Sequence, residues 1–454
     1  MKIGFVSLGC PKNQLDTEVM LHHLASAGYE ITPEETEADI VIINTCAFIE
    51  AAKKEAIDNI LDIAYLKKHH SLKGIIVTGC MSERYGEQIL EEFPEVDAVL
   101  GVGSIHNIVE AVESVAKNAG KKRKKNEPDC RYYSHEDKNT VALGGDRILT
   151  TPDYAAYLKI SEGCDNRCTY CAIPDIRGKF RSRPMEDLIA EAKELDEMGV
   201  KELTIIAQDT TRYGIDLYGK YCLDELLHKI TEETNIPWIR VLYCYPDKIT
   251  DGLIEEMKNN PRILNYIDLP LQHVSDKVLK RMNRHGDGAL IREVLAKIKK
   301  EIPDVTIRTT FIVGFPGETE EDFCELAEFI KSERFDRAGV FTYSREEGTP
   351  AYNLPDQIDE QIKLDREDIL MRSQMLINEE KNKEKIGKTI TVLCEDYDPV
   401  SEYYFGRSAA DAPEIDGKVF FKSERKLTPG EFVQVKIRRV EDYDLCGFAI
   451  QGNA

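Results

Sequence analysis

Three apolar, β-branched runs punctuate the first hundred residues: Ile3 to Leu8, Asp39 to Asn44 and Gly74 to Thr78. Between them Gln14 to Ala27 and Ala51 to Leu66 read as helices. Strand, helix, strand in this order predicts a doubly wound parallel sheet. Each run ends at a cysteine, since Cys10, Cys46 and Cys80 follow directly. Ligands of such sheets bind beyond the carboxyl ends of the strands, so the three thiols are placed to converge on one site. One cysteine after a strand is an ordinary small buried residue. Three in the same topological place predict a metal site.

From Asp153 to about Tyr343 the alternation resumes, with candidate strands at Tyr154 to Ile160, Glu202 to Ala207, Ile239 to Tyr243, Tyr266 to Leu269, Val305 to Val313 and Ala338 to Tyr343. Candidate helices are Met185 to Met198, Leu223 to Thr234, Thr250 to Lys258, Gly288 to Lys300 and Glu320 to Glu333. Six β/α units predict a partial (β/α)6 barrel with its chemistry in the loops at the strand C-termini. A charged helix from about Gln361 to Lys385 follows. Short alternating runs then appear at Thr389 to Cys394, Lys418 to Phe421, Phe432 to Val440 and Gly447 to Ile450, separated by Gly, Pro and Asp turns. They predict a small all-β barrel. The fold class is therefore α/β with an appended β domain. The expected boundaries are 1–118 for the N-terminal α/β domain, 119–149 for a polar linker, 150–384 for the central barrel with its C-terminal helix, and 385–454 for the β domain. The linker opens on Lys121 to Lys125, a basic run read as a solvated segment or as a nucleic-acid or ribosome contact.

Charge changes the picture more than composition does. With 60 Lys and Arg against 82 Asp and Glu, the formal charge of -22 disfavours bare nucleic acid and favours a basic partner, or serves solubility alone. In residues 387 to 454 nine basic residues face twelve acidic ones, with acids clustered at Glu395, Asp396, Asp398, Asp411, Glu414 and Asp416. The opening run is too short for a signal peptide and no later stretch is long and apolar enough to span a bilayer. The expectation is a cytoplasmic protein, where twelve cysteines are better explained by metal binding than by disulfides.

After the first strand of the central domain comes Ser161-Glu-Gly-Cys-Asp-Asn-Arg-Cys-Thr-Tyr-Cys171. Cys164, Cys168 and Cys171 form a C-x3-C-x2-C cluster, one thiolate short of a closed zinc or iron-sulfur site. The residues alone leave open a zinc knuckle with a remote fourth ligand, three incidental thiols, or an iron-sulfur cluster with one free coordination position.

This cluster, with Tyr170 before its last cysteine, resembles the signature of the radical S-adenosylmethionine (SAM) enzymes. Together with the N-terminal cysteines and a C-terminal module similar to a TRAM domain, nearly the whole chain resembles the methylthiotransferases of that superfamily. The resemblance implies two 4Fe-4S clusters, one on Cys164, Cys168 and Cys171 that binds SAM and an auxiliary one on Cys10, Cys46 and Cys80. Of the two branches, one modifies a tRNA adenosine and the other an aspartate of small-subunit ribosomal protein S-twelve. Ser7 to Asp16, Ala172 to Pro184, Leu269 to His273 and Gly406 to Gly417 are similar to the ribosomal-protein branch. The implied product is 3-methylthioaspartate, and the implied partners are that ribosomal protein and an electron donor such as flavodoxin or ferredoxin, with the enzyme a monomer. A tRNA adenosine methylthiotransferase is the alternative within the family. A non-catalytic iron-sulfur or zinc scaffold is the alternative from another class.

Tyr170 is the candidate for contact with the adenine, and Gln208, with Asp209, for contact with SAM or substrate. Gly314 and Gly317 in Val313-Gly-Phe-Pro-Gly-Glu-Thr319 would let backbone approach SAM closely, or serve a turn capped by Thr319. Gln272 and His273 end the fourth candidate strand, where a lone histidine is more often structural. Cys130, Cys222, Cys244, Cys324, Cys394 and Cys446 lack ligand spacing and read as ordinary thiols.

Overall fold

The computed structural model describes residues 1–120 and 130–450, so the Lys121 to Lys125 run lies outside the described residues. The N-terminal sheet is built from β1 (Lys2–Ser7), β2 (Glu30–Thr32), β3 (Ile40–Thr45), β4 (Gly74–Gly79), β5 (Ala98–Leu100) and β6 (Tyr132–Ser134). They run parallel in the order β2-β1-β3-β4-β5-β6. The β3 and β4 strands are buried along their whole length, because helices cover both faces. Ile40 and Ile42 pack with Met20 and Leu24 on one face, while Val41 and Ile43 pack with Ile60 and Ile63 on the other.

The central sheet begins with β7 (Ala155–Lys159), followed by a two-stranded flap of β8 (Ser161–Glu162) and β9 (Arg181–Ser182). It continues through β10 (Glu202–Ile206), β11 (Trp238–Val241), β12 (Ile263–Asp268), β13 (Thr306–Val313) and β14 (Arg337–Thr342). All six neighbours are parallel in chain order, which is the expected open barrel with helices outside. The predicted helices all form, the fifth as Glu320–Glu333 behind a capping box of Thr319 and Asp322. Helix Glu360–Lys383 closes the domain by packing Leu370 and Ile377 into its core.

The last five strands, β15 (Thr389–Asp398), β16 (Tyr403–Ser408), β17 (Val419–Lys422), β18 (Phe432–Glu441) and β19 (Asp444–Ala449), close a barrel in the order β15-β16-β17-β19-β18. The pattern of alternation overlooked β16. At its centre Gly406 lies so close to β15 that a Cβ would meet the Leu393 carbonyl oxygen at 2.0 Å, so backbone approach rather than side-chain alternation defines the strand.

Two readings change. The 130–149 stretch is not a free linker: β6 joins the N-terminal sheet, the Ile148 amide donates to Glu18, and the Arg147 guanidinium contacts Glu18, Glu191 and the Tyr157 carbonyl. Hydrogen bonds instead of buried apolar side chains hold it, which leaves no periodicity to read. Three acids of the β domain are also not free surface groups. Glu395 and Glu202 flank the Arg407 guanidinium, Asp411 pairs with Arg337, and Asp416 accepts a 2.6 Å hydrogen bond from Tyr266. These groups tie the small barrel to the N-terminal ends of the central strands, where Leu393 and Ala412 also enter the core beside Tyr266 and Trp238. The opposite, C-terminal ends face the N-terminal domain. Among the described residues no helix is long and apolar enough to cross a membrane.

Candidate active site between two cysteine triads

The loop from Cys164 to Cys171 is held from several sides. The Cys164 amide donates to the Gly178 carbonyl, the Thr169 amide to Met282, and the Ala351 amide to Thr169. Its sulfurs receive donors: Asn166 Nδ2 at 3.4 Å from Cys164 Sγ, the Ile173 amide at 3.4 Å from Cys171 Sγ, and Arg284 Nη1 at 4.0 Å from Cys168 Sγ. Asn166 is fixed in turn by Asp209, at 2.8 Å, and by Lys248. Burial pushes the Cys164 thiol up to about 11 and Cys171 further still. Iron coordination reverses that preference, because the metal binds the thiolate.

Beside this loop opens a cavity of about 810 Å³ lined by Tyr170, Gln272, Ile312 and Tyr343 from the barrel and by Phe48 and Ile49 from the N-terminal domain. Tyr170 stands edge-on to Phe315, with ring centroids 6.4 Å apart, and Phe315 edge-on to Tyr343. Among the described residues Gln272 Oε1 and Tyr343 Oη are buried without a hydrogen-bond partner, so two polar groups on this cavity await one. Aromatic faces with a few unmet polar atoms suit a nucleoside. Gln208, at the end of β10, donates to Glu162 at 2.7 Å, and its own Oε1 is likewise unmet.

Gly314 and Gly317 sit elsewhere in the reckoning. Both have positive φ, and a Cβ would meet Lys363 Cγ at 2.2 Å on the first and Arg281 at 2.6 Å on the second. Protein fills the space they leave, which explains them without a ligand. The Gly314 and Phe315 amides donate to Glu318. His273 is buried, accepts from the Ser275 amide, and is pushed down to about 4 by burial. Its other ring nitrogen, Nε2, is buried and meets no partner among the described residues.

The other triad is assembled by topology. Cys10 precedes helix Pro11–Ser26, Cys46 follows β3, and Cys80 opens the helix after β4. Two glycines let the strand ends close. Gly9 (φ +91°) would place a Cβ 2.8 Å from Cys46 Cβ, and Gly79 (φ +92°) would place one 2.3 Å from Asn44 Oδ1. The charges of Cys10 and Cys46 reach Cys80, which burial pushes up to about 12. Among the described residues no three His, Cys, Asp or Glu side chains close on a single ion.

The triads meet through the short helix Ile173–Arg177, where Ala172 and Ile176 pack on Cys80. Arg177, a buried residue that sequence reasoning did not single out, donates Nη2 to Cys80 Sγ at 3.3 Å and pairs with Asp16. On the far side Glu346, itself buried, accepts from Arg84 at 2.9 Å and pairs with Lys53 at 3.2 Å, latching the N-terminal domain to the barrel. No spacing rule marks these charged contacts, since each joins residues far apart in the chain.

Comparison with known proteins agrees with this architecture. Residues 2–101 match the model of Uncharacterized protein family UPF0004, residues 158–330 the Radical SAM superfamily, and residues 386–450 the TRAM domain. The chain is 51% identical to the ribosomal protein uS12 methylthiotransferase RimO of Desulforamulus reducens over 98% of both chains. It is 53% identical to the protein of that name from Caldanaerobacter subterraneus subsp. tengcongensis, over 98% of this chain and 99% of that one. Among solved structures, the radical SAM methyltransferase TsrM from Kitasatospora setae superposes with a TM-score of 0.54 at 12% identity, covering 75% of this chain and 72% of that one, a likeness of fold. Full-length identity of this size, over all three modules, means that the chain belongs to the RimO family of radical SAM methylthiotransferases.

Proposed function

We propose that this enzyme attaches a methylthio group to the β-carbon of an aspartate in small-subunit ribosomal protein uS12, giving 3-methylthioaspartate. The supporting observation is the placement of two cysteine triads, joined through Ile173–Arg177, with residues next to each on the wall of one cavity. Cys164, Cys168 and Cys171 would hold a 4Fe-4S cluster that binds SAM, and Cys10, Cys46 and Cys80 a second one. Bound there, clusters and SAM supply an electron, a 5'-deoxyadenosyl radical able to take hydrogen from an unactivated carbon, and a methylated sulfur to replace it. A side-chain base cannot do this, because the β-hydrogen of an aspartate is not acidic.

The chain's own part is binding and orientation. Tyr170 and Tyr343 would offer faces to the adenine and Gln272 an open acceptor to SAM, while Gln208, outside this cavity's lining, is the candidate for a second acceptor. Gly314 and Gly317 shape the turn that carries Phe315 to Tyr170 and Tyr343. The Glu346 latch and the Arg177 contact tie the N-terminal domain to the barrel, which holds the two sites at one distance. The net charge of -22 supports a basic ribosomal protein as substrate. A small flavodoxin or ferredoxin in the cytoplasm would supply electrons to a monomeric enzyme.

The test offers unmodified uS12 and unmodified tRNA together to the anaerobically reconstituted, reduced enzyme with SAM, and reads both by mass spectrometry. A gain on the protein's aspartate alone is the expected result. A gain on tRNA alone overturns the substrate and leaves the two-cluster chemistry standing. Zinc in place of iron, with no deoxyadenosine formed, overturns the enzymatic reading itself.

A further inference from the structure

A continuous line of hydrogen bonds and ion pairs crosses the domain boundary from the SAM side to the other triad. Gln208 donates to Glu162 Oε1 at 2.7 Å, and Lys159 donates at 2.7 Å both to Glu162 Oε2 and to Asp16 Oδ1. Asp16 binds Arg177 through its other oxygen, and Arg177 donates to Asn13 Oδ1 at 3.0 Å and to Cys80 Sγ at 3.3 Å. Asp16, Lys159, Glu162 and Arg177 are all buried, so the line carries two acids and two bases with little screening by water. Asp16 and Asn13 come from helix Pro11–Ser26, directly after Cys10, while Arg177 belongs to the segment directly after Cys171. One guanidinium thus belongs by chain to one triad and by contact to the other.

We propose that Arg177 is a positioning residue that sets the reduction potential of the auxiliary cluster through its hydrogen bond to Cys80, with Asp16 as the counter-charge that moderates it. This rests on the reading that Cys10, Cys46 and Cys80 hold a cluster. One-electron reduction adds a negative charge to the cluster and transfers no atom. A cationic donor on a ligand sulfur stabilises that added charge and moves the potential up, as hydrogen bonds to cluster sulfurs do generally. Asp16 opposes the effect by neutralising part of the guanidinium charge. The two side chains therefore act with opposite sign on the same observable, whereas loss of packing would move both the same way.

The experiment uses the full chain with Cys164→Ala, Cys168→Ala and Cys171→Ala, so that only the auxiliary cluster remains, and follows its signal by electron paramagnetic resonance during a redox titration. Arg177→Gln is expected to shift the midpoint to a more negative potential, Arg177→Lys to recover part of the shift, and Asp16→Asn to move it to a more positive one. Arg177→Gln at the parent's potential with its iron intact overturns the proposal. If Arg177→Gln loses its iron, Arg177→Lys and Asp16→Asn decide, and a shift of both in one direction overturns it. A parent with no iron on Cys10, Cys46 and Cys80 overturns the two-cluster reading, and this proposal with it.

Discussion

Cys164, Cys168 and Cys171 lie on one loop, whereas Cys10, Cys46 and Cys80 follow three different strands of a sheet. The loop triad is built into the backbone of a few residues, pinned by local amides and by Asn166. The sheet triad exists only when β1, β3 and β4 lie parallel and in register, with Gly9 and Gly79 admitting their neighbours. The same set of three thiols is thus reached once by sequence proximity and once by topology. The second route makes the auxiliary site more sensitive to changes remote from any sulfur.

The sharpest separation comes from deleting either triad. Ala at Cys164, Cys168 and Cys171 is expected to halve an iron content of about eight per chain and abolish deoxyadenosine formation. Ala at Cys10, Cys46 and Cys80 should halve the iron equally, keep deoxyadenosine formation and end methylthio transfer. Iron analysis and product chromatography distinguish the two, and methylthio transfer by the second variant would break the comparison.

Gly9→Ala probes the sheet triad without touching a cysteine. The new Cβ meets Cys46 at 2.8 Å on a backbone of φ +91°, and the conformation alone costs about 1–2 kcal/mol. Iron should fall at the sheet triad and remain at the loop triad. Equal loss from both would show that the sheet is no more fragile than the loop.

At the other end of the barrel, Glu202→Gln leaves Arg240 and Arg407 buried without their shared carboxylate. Loss of about 3–5 kcal/mol is expected, read as a lower denaturant midpoint. Asp396→Asn, on an exposed acid of the same small barrel, should change stability by less than about 0.5 kcal/mol. That contrast tests whether the acids of this module divide into docking groups and free ones.

Between these lies a pH effect. His273 is held at about 4 by burial, below its ordinary 6.5, so between those values the unfolded chain binds the proton more readily. Stability is complete above about pH 6.5 and is lost as pH falls toward 4, with about 2 kcal/mol gone by pH 5. His273→Gln should flatten that slope in unfolding measurements between pH 7 and 5, and an unchanged slope would assign the acid sensitivity to other groups.

The linear chain alone displayed the three modules, all six strands of the central sheet, β1, β3 and β4 of the N-terminal one, and the two sets of three cysteines. Apolar periodicity and strand-end position are local properties that a linear chain displays. Tertiary structure decided the rest. In the sequence the acids Asp411 and Asp416 are only part of a cluster of negative charge, yet each is committed to Arg337 or Tyr266 from another module. Residues 132–134 read as polar linker, yet they complete a sheet through backbone bonds to β5. Arg177 stood in a quoted string without a role until folding placed it on Cys80. A charge advertises only its sign along the chain; its partner, its burial and so its effect on a neighbouring sulfur are fixed by what the fold brings within hydrogen-bond reach.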